Sequence, residues 1–481
     1  MREMPQGWAL ATVNDTGEYL NGLAFKPSDW TSDGLPIIRI QNLTDRSKQL
    51  NRTPREVDAR YLVNDGDILV SWSATLDAFV WDRGKAILNQ HIFKVVPETR
   101  LVDRVFLFHG LRLAIREMIE SEHLHGSTMK HINRGPFLAH PFPVPPLPEQ
   151  RRMVARIDSL SAKSRRARDN LDHVPRLVEK YKRAILASAF RGDLTRAWRT
   201  KQHLVTSKDQ LEAIRARTWQ REREAGRVKG RYVSAESIDW QPSIELPSGW
   251  VWASVDQLST IVQYGSSAKA GDNSAGVAVL RMGNIQSGKL DLTSLKFLPN
   301  DHDEFPALLL EDGDVLFNRT NSPELVGKSA VYCGEPKKAS FASYLIRIRC
   351  CGLLPSLLSG YINSAYGRDW VASVVNQQVG QANVNGTKLR QLGVPVMPPD
   401  EQAEVTRLIN IAFAWIDRLS HEAVSAHKLI DHLDQAVLAK AFRGELVPQD
   451  PTDEAANALL ARIREEREVE PRGRRRLNAL S

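Results

Sequence analysis

The chain is poor in cysteine: Cys333, Cys350 and Cys351 are the only three in 481 residues. Two are adjacent and none forms a Cys-x-x-Cys pair, so neither a disulfide framework nor a zinc site is expected. Such usage fits a reducing cytoplasm. Long apolar runs are missing as well. No stretch approaches the roughly 18 apolar residues of a membrane span, and Met1–Val13 has no apolar signal core. Catalytic motifs are also missing. There is no Asn/Asp-Pro-Pro-Tyr/Phe methyltransferase motif and no Gly-rich cofactor loop after a strand. Gly327-Lys328-Ser329 resembles the end of a phosphate-binding loop, but the earlier glycine of that motif is replaced by Ser322. His123 and His125 have no further ligands at metal spacing, and no nuclease-type carboxylate–lysine constellation stands out. These absences argue against a secreted scaffold, a membrane protein and a self-contained catalyst.

What is present is a repeat. The length predicts several domains, and 42% hydrophobic residues are enough for real cores. Net charge is +8 and pI about 9.3, which favours a polyanionic partner without requiring one. Pro5-Gln6-Gly7-Trp8 returns as Pro247-Ser248-Gly249-Trp250, and Arg39/Asn42 as Arg281/Asn284, at a shift of 242. Asn64-Asp65-Gly66-Asp67 returns as Glu311-Asp312-Gly313-Asp314 at a shift of 247. Pro148-Glu149-Gln150 matches Asp400-Glu401-Gln402, and Ala189-Phe190-Arg191-Gly192 matches Ala441-Phe442-Arg443-Gly444, at a shift of 252. The same order in both halves identifies an internal duplication.

Each half opens with short apolar runs between Gly, Asn and Asp turns, which predicts strands. One helical stretch is expected in each, near Val102–Ser121 and Leu354–Val375. A Pro-rich exit and a long helix follow. In the first helix Met153, Ile157, Leu160, Ser164, Ala167, Leu171, Val174, Val178, Tyr181, Ile185 and Ser188 alternate steps of four and three. Val405, Ile409, Ala412, Ile416, Leu419, Ala423, Ala426, Ile430, Leu433 and Val437 do the same in the second. That is a heptad seam, and such long helices need a partner along their length. Pro175 should kink or restart the first helix. A charged helix is expected over Ser207–Gly226, and the tail near Asp453–Glu470 resembles it loosely. The fold class is therefore α+β: two tandem globular α/β arms joined by two long antiparallel coiled-coil helices with an internal pseudo-two-fold repeat.

Taken together, the twin Gly-Trp starts, twin Glu-Gln exits and twin Ala-Phe-Arg-Gly-Asp/Glu-Leu ends resemble the specificity subunit of type I restriction-modification enzymes. The resemblance covers almost the whole chain. It implies target-recognition domains over residues 1–147 and 243–398, spacer helices over 148–192 and 399–444, a charged helix and linker over 193–242, and a tail over 445–481. It also implies a non-catalytic, cytoplasmic DNA-binding chain, each domain reading one half of a split asymmetric site. Two modification subunits carrying S-adenosylmethionine would methylate adenine, and a restriction subunit with ATP and Mg would join them. The chain itself would carry no cofactor and no metal. A helix of 40 residues is about 60 Å long and ten base pairs span about 34 Å, so two arms reach separate stretches of one duplex. A methylation-only complex, a fused single-chain enzyme and a coiled-coil scaffold without a DNA role remain the alternatives.

Base-edge readers are sought among polar loop residues. In the first arm these are Ser71, Trp72, Ser73, Thr75, His91, Thr128, Lys130 and His131; in the second, Asn318, Arg319, Asn321, Tyr344, Gln378, Gln381, Asn383 and Lys388. A solvated loop is the plain alternative for any one of them. Arg39/Asn42 and Arg281/Asn284 recur in both arms and fit a buried polar lock better than a base contact. Glu149, Gln150, Phe190, Arg191, Glu401, Gln402, Phe442 and Arg443 flank the helices and are candidates for partner docking, although helix dipoles and caps explain them as well. From Arg151 to Gly192 there are 12 Lys and Arg against 4 Asp and Glu, while Ala403 to Gly444 has 5 of each. A solvated face is the simpler account. If the first helix instead faces DNA, neutralising Arg165, Arg166 and Arg168 flattens the salt dependence of binding.

Overall fold

The structure, a computed structural model, describes residues 4–124, 131, 133–202, 204–321, 325–378 and 381–469. The first arm runs through β1 (Ala9–Thr12), β2 (Gly17–Asn21), β3 (Leu35–Ile38), α1 (Ile40–Thr44), β4 (Asn51–Thr53), β5 (Leu62–Val63), β6 (Ile68–Ser71), β7 (Asp77–Val80), β8 (Ala86–Leu88) and β9 (Ile92–Pro97). It ends with α2 (Arg104–Leu124), α3 (Arg134–Ala139) and β10 (Pro141–Val144). Two sheets, β2-β9-β6-β7 and β4-β3-β8-β5, share β6 between their cores, so all four of its residues are buried. This is why Ile68-Leu69-Val70 reads as a continuous apolar run rather than an alternating one. The Pro-rich β10 pairs with β1 alone, as prolines in a sheet require an edge.

Next come α4 (Leu147–Leu171), α5 (Val174–Phe190), α6 (Arg196–Arg199) and α7 (Lys208–Glu224). The break before α5 is at the expected place: Pro175 occupies its first turn, where a missing N–H costs nothing. Ser207 and Gln210 form a capping box that starts α7.

The second arm repeats the first with β11 (Val251–Ser254), β12 (Ser259–Tyr264), β13 (Val277–Leu280), β14 (Ile285–Gln286), β15 (Lys289–Leu290), β16 (Lys296–Leu298), β17 (Val315–Asn318), β18 (Thr320–Asn321), β19 (Ser329–Val331), β20 (Ala339–Phe341) and β21 (Leu345–Cys350). Then follow α8 (Pro355–Asn363), α9 (Ala365–Val374), β22 (Asn376–Gln378), β23 (Gln381–Asn383), α10 (Gly386–Arg390) and β24 (Gly393–Val396). Sheet β12-β21-β17-β19 matches β2-β9-β6-β7, and the parallel pair β13/β20 matches β3/β8. The registers match too: Ala9 faces Val144 as Val251 faces Val396. The chain closes with α11 (Pro399–Ala441), 43 residues without a break, and α12 (Ala456–Val469).

The contacts divide these elements into two units. One holds residues 1–172 and 424–481, the other 173–423. Each unit therefore contains one arm, part of the first long helix and part of α11. In the first unit Ser164 donates to Asp434 at 2.7 Å and His427 pairs with Asp172 at 3.1 Å, so α4 and α11 run antiparallel. In the second, Lys182 meets Asp417 at 2.6 Å and Arg199 meets Glu401 at 2.9 Å, again antiparallel.

The seam departs from the heptad reading at three places. Tyr181, Leu419 and Leu433 are 58%, 39% and 55% exposed, and Lys182 and Asp434, beside the first and last of these, turn inward. An inward polar residue with a partner on the facing helix moves the seam by one position.

The repeats also exchange their ends. Phe442, from the second repeat, stacks on Phe106 of the first arm at 4.9 Å, while Phe190, from the first repeat, meets Tyr361 of the second arm edge-on at 5.1 Å. The following Gly192 and Gly444 have φ of 76° and 73°, the left-handed cap that ends a helix. A Cβ on Gly192 would sit 2.3 Å from Pro247, and one on Gly444 2.6 Å from Pro5. Each arm thus starts against the helix end of the other repeat.

In the first unit α12 is tied down by Arg464, which donates to Asp15 at 2.6 Å. Burial pushes the Asp15 carboxyl up, but Arg464 and the Thr12 N–H and hydroxyl outweigh it and hold it below the usual carboxylate range. A depressed carboxylate contributes stability above its unfolded pKa and loses it as pH falls through the folded value. Hydrogen exchange in α12 should therefore accelerate as pH drops below about 4, the usual carboxylate pKa, after correction for intrinsic rates. Asp15→Asn should remove that acid-specific acceleration; an unchanged profile in the variant contradicts the tie.

Candidate functional site

The most regular polar feature is a lock at the start of each long helix. Trp8 Nε1 donates to both oxygens of Glu149 at 3.2 and 3.1 Å, and Trp250 Nε1 donates to Glu401 at 2.8 Å. Thr195 and Arg199 also donate to Glu401. Burial raises the Glu149 pKa, and the Trp8 bond counters it only in part. Gln150 accepts from Asp103 N and donates to the carbonyls of Leu101 and Pro145; Gln402 accepts from Leu354 N and donates to Gly352 and Met397.

All four side chains are buried and hydrogen-bonded within their own unit, and the rings of Phe190 and Phe442 are buried as well. The assignment of Glu149, Gln150, Glu401, Gln402, Phe190 and Phe442 to a docking surface is therefore corrected: they hold the frame. Arg191 and Arg443 remain exposed, each bonded to the acid two residues on, Asp193 and Glu445.

Asn42 and Asn284 form a second recurring lock. Each accepts from a backbone N–H, of Arg39 or Arg281, and donates to two loop carbonyls. A third is the Asp of the Gly-Asp turn. Asp67 pairs with Lys94 at 2.9 Å, and Asp314 lies 3.7 Å from Arg347 and 2.9 Å from Arg349. The basic partners went unnoticed in the sequence, although Lys94 and Arg347 hold matching places on β9 and β21.

On this frame, loops distant in sequence come together. After β6, Ser73 bridges His131; at the matching place after β17, Thr320 pairs with Asn383. The Trp72 N–H reaches the His91 carbonyl at 3.4 Å as the Arg319 N–H reaches that of Tyr344 at 3.0 Å. The Trp72 ring lies 5.2 Å from the His91 ring, and the Arg319 guanidinium lies 5.0 Å from the Tyr264 ring. Among the described residues Trp72 Nε1 and Arg319 Nε are buried without hydrogen-bond partners. Thr75, His131, Tyr344 and Asn383 are exposed.

Other candidates are placed differently. Ser71 and Asn318 are buried, bonded to the carbonyls of Thr75 and Leu325, and shape the loops rather than reach out of them. Lys388 is exposed but ion-paired with Asp239 at 2.8 Å. Thr128 and Lys130 lie outside the described residues. Asn321, Gln378 and Gln381 have described backbones, in β18, β22 and β23, but not described side chains. On α4, Arg165 and Arg166 are exposed, while Arg168 donates to Asp431 and Asp434 at 2.8 and 2.7 Å and belongs to the helix pairing.

The family described as Type I restriction modification DNA specificity domain matches residues 5–171. The EcoKI specificity subunit of Escherichia coli K12 is 26% identical over 97% of this chain and 96% of its own. The StySPI specificity subunit of Salmonella potsdam is 23% identical over 97% of each. Over almost its whole length the chain is similar to specificity subunits of type I restriction enzymes. Its fold agrees: the HsdS subunit of Thermoanaerobacter tengcongensis aligns over 92% of this chain and 98% of that one with a TM-score of 0.53 at 16% identity. A chain from a type I R-M assembly aligns over 92% and 100% with a TM-score of 0.62 at 16% identity.

The long helices carry a further repeated feature. Leu177 and Tyr181 on α5 are exposed, and so are Leu429 and Leu433, their counterparts on α11 at the shift of 252. Apolar side chains left out of a helix seam at the same repeat positions form two equivalent surfaces, one in each unit. Among the described residues no helix is long and apolar enough to cross a membrane.

The lock is the part of this site most open to mutation. Gln402→Ala leaves the Leu354 N–H and two carbonyls without partners, at about 1–3 kcal/mol for each buried group left unsatisfied. Denaturant unfolding should show a loss of at least about 2 kcal/mol. A change within error would mean that Gln402 does not hold exit and arm together.

Proposed function

We propose that this chain is a specificity subunit that reads a bipartite, asymmetric DNA site, one half with each unit. The carrying observation is that two matching sheet frames present different residues at one place: Trp72, His91, Ser73 and His131 in the first unit, Arg319, Tyr344, Thr320 and Asn383 in the second. Two copies with equal loops would suit a palindrome; unequal loops suit two different half-sites. Arg319 offers the donor geometry that pairs with guanine, and Asn383 the donor–acceptor pair that suits adenine. Phosphate contacts from nearby Lys and Arg would add affinity without sequence information.

In this reading the unbroken α11, 43 residues and roughly 64 Å long, sets the gap between half-sites. The repeated pairs Leu177/Tyr181 and Leu429/Leu433 support two docking sites for two copies of a methylating subunit. The chain performs no chemistry itself. Adenine methylation with S-adenosylmethionine belongs to those subunits, and ATP- and Mg-dependent cleavage to a restriction subunit where one joins.

The test is enrichment from a random duplex library by the chain assembled with its methylating subunits. Two short fixed blocks separated by an unspecified gap are expected, and Tyr344→Ala with Asn383→Ala should relax bases in one block alone. A single continuous block, or loss of preference in both blocks at once, contradicts the reading.

A further inference from the structure

The second unit contains a cleft of about 480 Å³ bounded by α5, α8, α11 and the β14–β15 turn. Its floor is apolar, made by Leu186, Leu357, Ile409 and Phe413. Its walls are cationic: Lys182, Arg183, Lys289, Lys328 and Arg368 face a single lining carboxylate, Glu179. Internal pairing offsets only part of that charge. Lys182 and Lys289 share Asp417, at 2.6 and 3.2 Å. Arg183 and Lys328 have no ion partner among the described residues. Burial, and then the neighbouring Arg183, depress the Arg368 pKa. The Thr406 hydroxyl on the same wall is buried without a hydrogen-bond partner. Several cations and a free hydroxyl around an open volume suit an anion with several oxygens.

The first unit does not share this chemistry. At the shift of 252, Lys182 corresponds to Asp434 and Arg183 to Gln435. Lys328, whose carbonyl accepts from Asn318 N, corresponds to Asp77, which faces Ser71 in the same way. Asp434 and Asp77 are bonded to Arg168 and Arg112. A docking surface for identical subunits would be kept in both halves. A charge found in one half alone belongs to that half's own task. Lys328 also stands across the β17–β19 ladder from the residue that precedes Arg319, so the cleft adjoins the loop assigned to reading.

We propose that this cleft binds phosphate groups, namely those of the DNA strand passing the second unit's loop, and that it anchors this unit to the backbone in a way the first unit lacks. The proposal rests on the DNA-reading function above.

The test compares the full chain, assembled with its methylating subunits, with an Arg183→Gln/Lys328→Gln variant. A charge-matched control, Arg217→Gln/Arg221→Gln, removes two exposed arginines of α7. Binding of cognate and scrambled duplexes is measured from about 50 to about 200 mM salt. Loss of two phosphate contacts should lower affinity for both duplexes and make the slope of log K against log salt shallower by about two, roughly a tenfold smaller loss over that range. The preferred motif should be unchanged, and the control should match wild type. A wild-type slope in the variant overturns the proposal. So does failure of the variant to retain methylating subunits, which would place an acidic protein surface in the cleft. Stabilisation of wild type by ATP alone, lost in the variant while DNA binding is kept, overturns the assignment to DNA in favour of free nucleotide. If the wild-type assembly does not distinguish the two duplexes, the reading function itself fails.

Discussion

The buried carboxylate at the head of each long helix is the contact on which the architecture depends. Glu149 and Glu401 receive the indole N–H of the tryptophan that opens their own arm. The glutamine that follows each ties the exit to the start of the arm helix. One dipeptide thereby joins first strand, last strand, arm helix and long helix. A buried carboxylate is costly unless its oxygens are satisfied; tryptophan, threonine and arginine all donate to Glu401, whereas Trp8 donates to Glu149 and offsets only part of its burial. The cost of breaking the pattern explains why it is retained in both repeats while the loops differ.

The second constraint is the exchange of helix ends. Phe442 and Gly444 complete the first unit, and Phe190 and Gly192 complete the second. Neither repeat buries its core alone. Duplication was therefore not a matter of placing two independent domains in a row; each copy supplies a piece of the other's unit. Such a frame tolerates change in the polar loops because Thr75, His131, Tyr344 and Asn383 join it through their backbones, while the residues themselves are exposed. The charge around Lys182, Arg183 and Lys328 diverges in the same way, on helix and strand positions whose counterparts are acidic or neutral.

Much of this was legible in the sequence. The repeat shifts recur in the strand registers, and Pro175 breaks one helix while the other runs on. What was not legible concerns direction. Heptad spacing identifies a seam but cannot tell whether Tyr181 or Lys182 points inward, because the choice depends on Asp417 across the pair. Glu149, Gln150, Glu401 and Gln402 looked like surface residues by type. Their burial follows from donors scattered along the chain, with the recurring Gly-Trp the one available hint. Ser71 and Asn318 fell within the loops by number, yet they are the last residues of buried strands. The basic cleft joins α5, α8, α11 and a hairpin, and no local pattern announces it.

The central claim is that two units on one chain read two half-sites independently. It is tested most directly by mapping methyladenine by single-molecule sequencing in cells that express the methylating subunits with a chimera whose residues 17–139 come from a relative of different specificity. The account predicts a split motif in which one block changes and the other block and the gap stay as in the parent. A continuous motif, or a chimera in which both blocks change together, would contradict it.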